Sequence, residues 1–243
     1  MKIIKAKTIK TVYNKVIKTL LRDKHVVGNT KEIENACLII KKPTLKLISF
    51  PHRNISKKYS EAELKWYWSG DNLCETIGKY AKMWLALTDD GITNNSAYGY
   101  ILFKKYGINQ VEQIIDLLRK DKNSRRAVLN ISDASINRIT TKDMQCTIAI
   151  QFLIRKNKLN MTVYMRSNDV YFGLPYDYIF FESLHQYISS QLNINVGIYT
   201  HIVTSLHMYE RDIEKFKTQK ENIVLVDLNE HCLKYYDKGE INQ

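Results

Sequence analysis

Residues 146–177 read CTIAIQFLIRKNKLNMTVYMRSNDVYFGLPYD, and this stretch decides the fold. Strand-length apolar runs occupy 146–154 and 159–165, and Lys156, Asn157 and Lys158 between them suit a short hairpin. The polar run 166–169 and Gly173-Leu174-Pro175 follow, and the pattern then predicts a long helix over about 178–192. Working toward the N-terminus, a strand is predicted over 126–131, preceded by a helical stripe of Val111, Ile114, Ile115, Leu117 and Leu118. Helices are predicted over 59–67 and 73–87, and strands over 36–40 and 45–50 with Pro43 in the turn between them. Ile9, Val12, Val16, Ile17, Leu20 and Leu21 recur at helical spacing, giving an amphipathic opening helix over 8–21 that Gly28 and Asn29 follow as breakers. Toward the C-terminus a strand over 197–205 and a helix over 207–216 complete the core, and the tail after Asp237 is expected to be loosely held.

A chain of 243 residues with 44% hydrophobic content is long enough for one substantial core, and no internal repeat or linker divides it. One domain over 1–243 is expected. No apolar run is long enough to span a bilayer and the N-terminus lacks a signal-peptide apolar region, which makes a cytoplasmic location the expectation. Cys37, Cys74, Cys146 and Cys232 lie far apart with no CxxC or Cys/His pairing, so reduced thiols are expected rather than a metal site or a disulfide framework. The net charge of +12 favours anionic partners, whether nucleic acid, phosphorylated metabolites or a polyanionic cofactor tail. The lysines are scattered and the usual nucleic-acid signatures are absent, so no specific nucleic-acid partner is expected.

Cys146 heads an apolar strand, a position where a cysteine is more often a small buried hydrophobe than a nucleophile. Its context is what changes that. Cys146, Arg166-Ser167-Asn168-Asp169, Gly173-Leu174-Pro175-Tyr176-Asp177 and His207-Met208-Tyr209, preceded by Glu63, Trp84, Tyr98-Gly99 and Ser124-Arg125-Arg126, resemble the thymidylate synthase family in motif, order and spacing. The resemblance spans roughly residues 60–212. It implies a large mixed, mainly antiparallel sheet with flanking helices, an α/β (α+β) fold that dimerises through its sheet face. It also implies a reaction in which a thiolate adds to C6 of a pyrimidine nucleotide, turning C5 into a nucleophile toward the methylene group of 5,10-methylenetetrahydrofolate.

The same resemblance assigns roles. Cys146 would be the nucleophile, with Arg166 the cation favouring its thiolate. Arg166 and Ser167, with Arg125 and Arg126 of a partner subunit, would cage the nucleotide phosphate, and His207 and Tyr209 would bond the sugar hydroxyl. Tyr98 would assist proton removal from C5, Glu63 would organise water and proton transfer, and Asp169, Trp84 and Gly173 would lie on the folate side. Asn168 belongs with the nucleotide-binding set. The N-terminal phosphate-binding arginine of the family has no clear counterpart here; Lys31 and Arg53 are its candidates. No metal is implied.

Asp177 stands where thymidylate synthases carry an asparagine and deoxycytidylate hydroxymethylases an aspartate. Cytosine offers an amino donor and an unprotonated N3, so a carboxyl group that accepts from the first and shares a proton with the second suits it. An ionised carboxylate would meet a lone pair at uracil O4. Read alone, Asp177 would instead be the N-cap of the following helix. Gln151-Phe152-Leu153-Ile154-Arg155, Met165-Arg166-Ser167-Asn168-Asp169-Val170 and Ser205-Leu206-His207 also resemble the hydroxymethylase versions of these segments, and Thr147 and Leu87 depart from the synthase pattern. These features point to hydroxymethylation of dCMP of the kind phages use to modify DNA precursors. Thymidylate synthesis, hydroxymethylation of dUMP or CMP, and a basic nucleic-acid-binding protein on an inactive scaffold remain the alternatives. The Leu174-Pro175 pair is synthase-like and keeps the first of these open.

Overall fold

The computed structural model describes residues 1–22, 26–50, 53, 55–217 and 223–228. In chain order the elements are β1 (Lys2–Ala6), α1 (Ile9–Arg22), β2 (Val26–Val27), β3 (Thr30–Ile40), β4 (Leu47–Ser49), α2 (Lys57–Trp68), α3 (Cys74–Gly78), α4 (Met83–Ala86), α5 (Tyr98–Phe103) and α6 (Gln110–Lys120). They continue with β5 (Val128–Asn130), β6 (Thr147–Arg155), β7 (Lys158–Asp169), α7 (Leu174–Gln191), β8 (Asn195–Tyr209), α8 (Glu210–Lys217) and β9 (Val224–Val226). A mixed sheet runs in the order β1-β3-β8-β7-β6-β5, with β2 also paired to β3, while β4 and β9 form a separate ribbon. The β1/β3 and β7/β8 pairs are parallel and the rest are antiparallel.

The β6–β7 hairpin forms as its sequence predicts. Lys156 and Asn157 both adopt the left-handed conformation, with φ of 53° and 55°, which matches the twist that a two-residue hairpin loop requires. Tight pairing follows, from Arg155 opposite Lys158 to Thr147 opposite Met165. One sheet face meets α7 and α1 and supplies the core, where Ile150, Phe152, Met161, Val163, Tyr199 and Val203 are buried. The opposite face is half-exposed, with Ile39, Thr200, Thr162 and Gln151 in one row and Ile202, Tyr164 and Ala149 in the next.

Several predicted elements change. The helix predicted over 73–87 is two short helices, α3 and α4, separated by a turn in which Tyr80 and Ala81 both donate to Ile77 O. The helix predicted from 207 begins at Glu210, because His207, Met208 and Tyr209 still pair with β3 in β8. Strand β3 starts at Thr30, earlier than its apolar run, since its polar first half is held by pairing to β8. Strands β1 and β9 and helix α5 are absent from the sequence reading. Cys232 and the tail after Asp237 lie outside the described residues. Among the described residues no helix is long and apolar enough to cross a membrane, and no group of His, Cys, Asp or Glu side chains could hold a metal ion.

Candidate functional site

Topology brings most of the predicted residues to one edge of the sheet. Because β7 and β8 are parallel, their C-terminal ends, Arg166 to Asp169 and Ser205 to Tyr209, emerge together. Because β6 is antiparallel to β7, its N-terminal end, with Cys146 just before it, arrives at the same edge, and Arg166 N–H donates to Cys146 O at 2.8 Å. Four residues separate the end of β7 from the start of helix α7, setting Asp177 against the same group.

A β-bulge shapes the thiol's position. Thr147 and Ala149 pair with Met165 and Tyr164, so one extra residue, Ile148, sits in β6. Plain alternation would put Ile148 inside with Ile150; instead Ile148 is 44% exposed and Thr147 is fully buried. Ile148 O accepts from the N–H groups of both Ile131 and Ser132, which satisfies the broken ladder. The loop before Cys146 is latched from two sides. Asp143 accepts from Ser96 N–H at 2.8 Å and from the Ser96 hydroxyl, and Gln145 Nε2 donates to Asn95 O at 2.6 Å. The Arg166 guanidinium reaches the same loop, with Nε to Gln145 O at 3.0 Å and Nη2 to Met144 O at 2.9 Å. These latches tie the thiol loop to the segment that leads into α5, and so to Tyr98, whose phenol meets Thr147.

Helix α2 carries Glu63, buried where α2 packs on α5 and α7. Tyr67 stacks on Tyr98 at 5.4 Å and contacts Phe180 at 4.5 Å, and Trp68 Nε1 donates to Ser183 Oγ at 3.0 Å. Glu63 Oε1 accepts from the Tyr59 hydroxyl, which in turn accepts from Trp84 Nε1 at 2.9 Å. Trp84 is therefore buried with its N–H engaged, its ring 5.3 Å from Trp66.

Asp177 is not a helix N-cap. Helix α7 starts at Leu174 after Gly173, and Asp177 lies one turn in, its N–H donating to Gly173 O at 3.0 Å. Asn168 Nδ2 donates to its Oδ2 at 2.6 Å. A Cβ on Gly173 would stand 3.1 Å from Asn168 Nδ2 and 3.3 Å from Asp177 Oδ2, so the missing side chain leaves room for this pair. Across the site, Ser167 Oγ is 3.4 Å from His207 Nδ1, and the His207 and Tyr209 rings meet edge to face at 5.5 Å. Asp169 Oδ1 accepts from Tyr171 N–H at 2.9 Å.

Burial dominates the electrostatics. It pushes Glu63 up to about 8, with the Asp177 charge adding to the rise and the Tyr59 hydrogen bond and Arg53 opposing it. It raises Asp177 to about 7 against the Asn168 bond, which lowers it. Burial also raises Asp169, opposed by the Tyr171 N–H and His207. Burial lifts the Tyr98 phenol well above its ordinary value, reinforced by Asp177 and Cys146. The Cys146 thiol runs counter to the expectation from its cation. Arg166 does pull it down, but burial first, and the Asp177 and Asp143 carboxyls after it, leave it raised.

Arg125 and Arg126 are not brought to this edge. Phe152 N–H donates to Ala127 O at 2.9 Å, so the exposed arginines sit beside the far end of β6. Six residues of strand separate Phe152 from Cys146, roughly 20 Å. Of the two N-terminal candidates, Lys31 bonds Leu21 O at 3.4 Å, and Arg53 stands over Tyr171, Phe172 and Tyr176 on the Glu63 side. Sequence reading missed Tyr59, Asp143 and Ser96. The signal for Tyr59 was its place one helical turn before Glu63, whereas Asp143 and Ser96 meet only through folding.

This arrangement defines a class: a mixed-sheet α/β protein with a thiol, two high-pKa carboxyls and a phenol gathered where three strand ends meet a helix N-terminus. Residues 13–228 match the family model described as thymidylate synthase. The chain belongs to the thymidylate synthase family, whose enzymes transfer a folate-borne one-carbon unit to C5 of a pyrimidine nucleotide. A putative thymidylate synthase of Methanocaldococcus jannaschii is 30% identical over 230 residues, covering 88% of this chain and 94% of that one. Enterobacteria phage T6 deoxycytidylate 5-hydroxymethyltransferase is 30% identical over 71% of this chain and 77% of its own length. Deoxyuridylate hydroxymethyltransferase of Pseudomonas phage M6 is 28% identical over 72% of this chain, which spans only 50% of that relative. The thermostable thymidylate synthase A of Bacillus subtilis shares the fold with a TM-score of 0.73 at 20% identity, over 94% of this chain and 91% of that one.

Proposed function

We propose that the chain, acting as one catalytic domain, transfers the one-carbon unit of 5,10-methylenetetrahydrofolate to C5 of deoxycytidylate and completes the reaction with water, giving 5-hydroxymethyl-dCMP. The observation that carries this reading is Asp177. Its carboxyl is raised to about 7 and held through Oδ2 by Asn168, which leaves Oδ1 to carry a proton. Such a group donates from Oδ1 to cytosine N3 and accepts the amino N–H at Oδ2, a pattern that uracil, with a proton on N3 and an acceptor at O4, cannot match. The phage T6 relative, which acts on deoxycytidylate by name, supports the same choice.

In this reading Cys146 attacks C6. Arg166 beside it favours the thiolate that attacks, against the burial that raises the thiol. Tyr98 stands by the thiol for proton removal at C5, and Glu63 holds the water that completes the product. Ser167 and Arg166 bind the phosphate, and His207 with Tyr209 the sugar hydroxyl. Asp169 is acceptor-only when ionised and so fits the N–H-rich edge of a pterin, with Trp84 and Gly173 on that side; the folate supplies the electrophilic carbon. Arg125 and Arg126, roughly 20 Å from Cys146 along β6, serve the site of a second copy that pairs through the half-exposed sheet face. The domain would act in the cytoplasm, of the host if a phage encodes it.

Mass spectrometry of products from dCMP, dUMP and CMP, each with the folate, tests the proposal. Hydroxymethyl-dCMP is expected. Thymidylate with dihydrofolate from dUMP would overturn it in favour of a synthase, and hydroxymethyl-dUMP in favour of the activity named for the phage M6 relative.

A further inference from the structure

The hydrogen-bond chain behind Glu63 starts from a group that can only donate. An indole N–H can only donate, so at 2.9 Å the Tyr59 oxygen is the acceptor of Trp84 Nε1. The phenol has one proton and donates it in a hydrogen bond to Glu63 Oε1. Oε1 is thereby committed as an acceptor. A proton on a neutral Glu63 is then favoured on Oε2, because the carbonyl oxygen of a carboxylic acid is the better acceptor for the phenol, and Oε2 remains for exchange.

Resting on the reading of Glu63 as the water-organising acid and base, we infer that Tyr59 and Trp84 are positioning residues that assign the exchangeable proton of Glu63 to Oε2. Neither ring is free to reorient. Tyr59 is buried and packs edge to face on Tyr176 at 4.8 Å, while Trp84 is buried against Trp66. Tyr59 lies one turn before Glu63 on α2, so the helix itself fixes their spacing. The groups facing Glu63 are Tyr59 and Tyr67 from α2, Asp177 and Tyr176 from α7, and Arg53 from the segment before α2. Among the hydrogen bonds described for the Glu63 carboxyl, only Tyr59 supplies a donor. The direction of the relay matters for chemistry because a carboxylic acid with its proton on either oxygen presents two different faces to a water molecule, and a catalytic site works with one.

The test uses the intact protein and two readouts. In infrared difference spectra of the ligand-free protein, the protonated carboxyl band that Glu63→Gln removes reports the Glu63 titration directly. Losing the Tyr59 hydrogen bond, which favours the ionised form, should raise the midpoint of that band by about one pH unit in Tyr59→Phe. In turnover, Tyr59→Phe and Trp84→Phe should lower kcat about tenfold with dCMP KM held within about twofold, and should move the pH profile the same way. Trp84→Phe gives the second route if Tyr59→Phe fails to fold. Folded variants with an unmoved band midpoint and pH profile would overturn the inference. Full activity in Glu63→Gln would overturn the role of Glu63 itself, whereas an inactive Glu63→Gln beside an unmoved Tyr59→Phe overturns only the relay.

Discussion

A neutral carboxyl and an ionised one present different edges to a base, and Asp177 sits close to the crossover. Asp177→Asn should therefore invert the preference between nucleotides, lowering the dCMP to dUMP ratio of kcat/KM by about 100-fold or more. Steady-state kinetics on both nucleotides checks this, and an unchanged ratio would remove the carboxyl from base selection. Glu63 gives a second outcome, in stability. Unfolded, it ionises near 4.5; folded, near 8. Between those values the native state holds a proton that the unfolded chain has released, so stability falls as pH rises through this window and the contribution is gone above it. Denaturant titrations from pH 5 to 8 should show that fall, on the order of a few kcal/mol, made shallower in Glu63→Gln, where the raised Asp177 still contributes. A steeper fall in the variant would contradict the assignment. At this scale the sequence showed which residues to watch, because Cys146, Asp177 and Arg166 stand in a dense motif. Their protonation was not legible. The Cys146 thiol is raised despite Arg166 because burial, with the Asp177 carboxyl of α7 and the Asp143 carboxyl of the preceding loop, outweighs the guanidinium, and no local pattern records that.

Elements position these groups through a few close approaches. Gly99 is the tightest: a Cβ there would lie 1.6 Å from Tyr67 O, so α5 can cross α2 only where a side chain is missing. Gly99→Ala should separate the two helices, destabilise the fold by ~3 kcal/mol and displace Tyr98 from Thr147. Thermal unfolding checks the first effect, and a native-like melting temperature would show that the helices can part at little cost. Hairpin and helices with clean periodicity, such as β6–β7, α1 and α6, were legible because each carries its own turn chemistry or apolar stripe. The bulge at Ile148 was not, since residues 147–154 alternate well enough for an unbroken strand. Nor was the break between α3 and α4, where helical spacing continues through a turn held by Ile77 O. Strand β1 was also missed, because the short run Lys2-Ile3-Ile4-Lys5-Ala6 becomes a strand only by lying parallel to β3.

At the scale of the whole molecule, the distance between Arg126 and Cys146 is the informative dimension. Mixing Cys146→Ser protein with Arg125→Ala/Arg126→Ala protein should restore activity that neither has alone. Random exchange puts half the subunits into mixed dimers, each with one intact site, so recovery of about a quarter of the wild-type rate is expected. Failure to recover any activity after subunit exchange would mean that the arginines serve their own chain or none. The sheet face that carries Ile39, Ile202 and Tyr164 adds a kinetic signature. On the proposed pairing, each site would borrow its phosphate clamp from a second chain joined across that face, and the enzyme would be its own essential activator. Diluted below the dissociation constant of the pair, its rate should follow the square of protein concentration, and a nucleotide that bridges the two chains should lower the concentration at which linear behaviour returns.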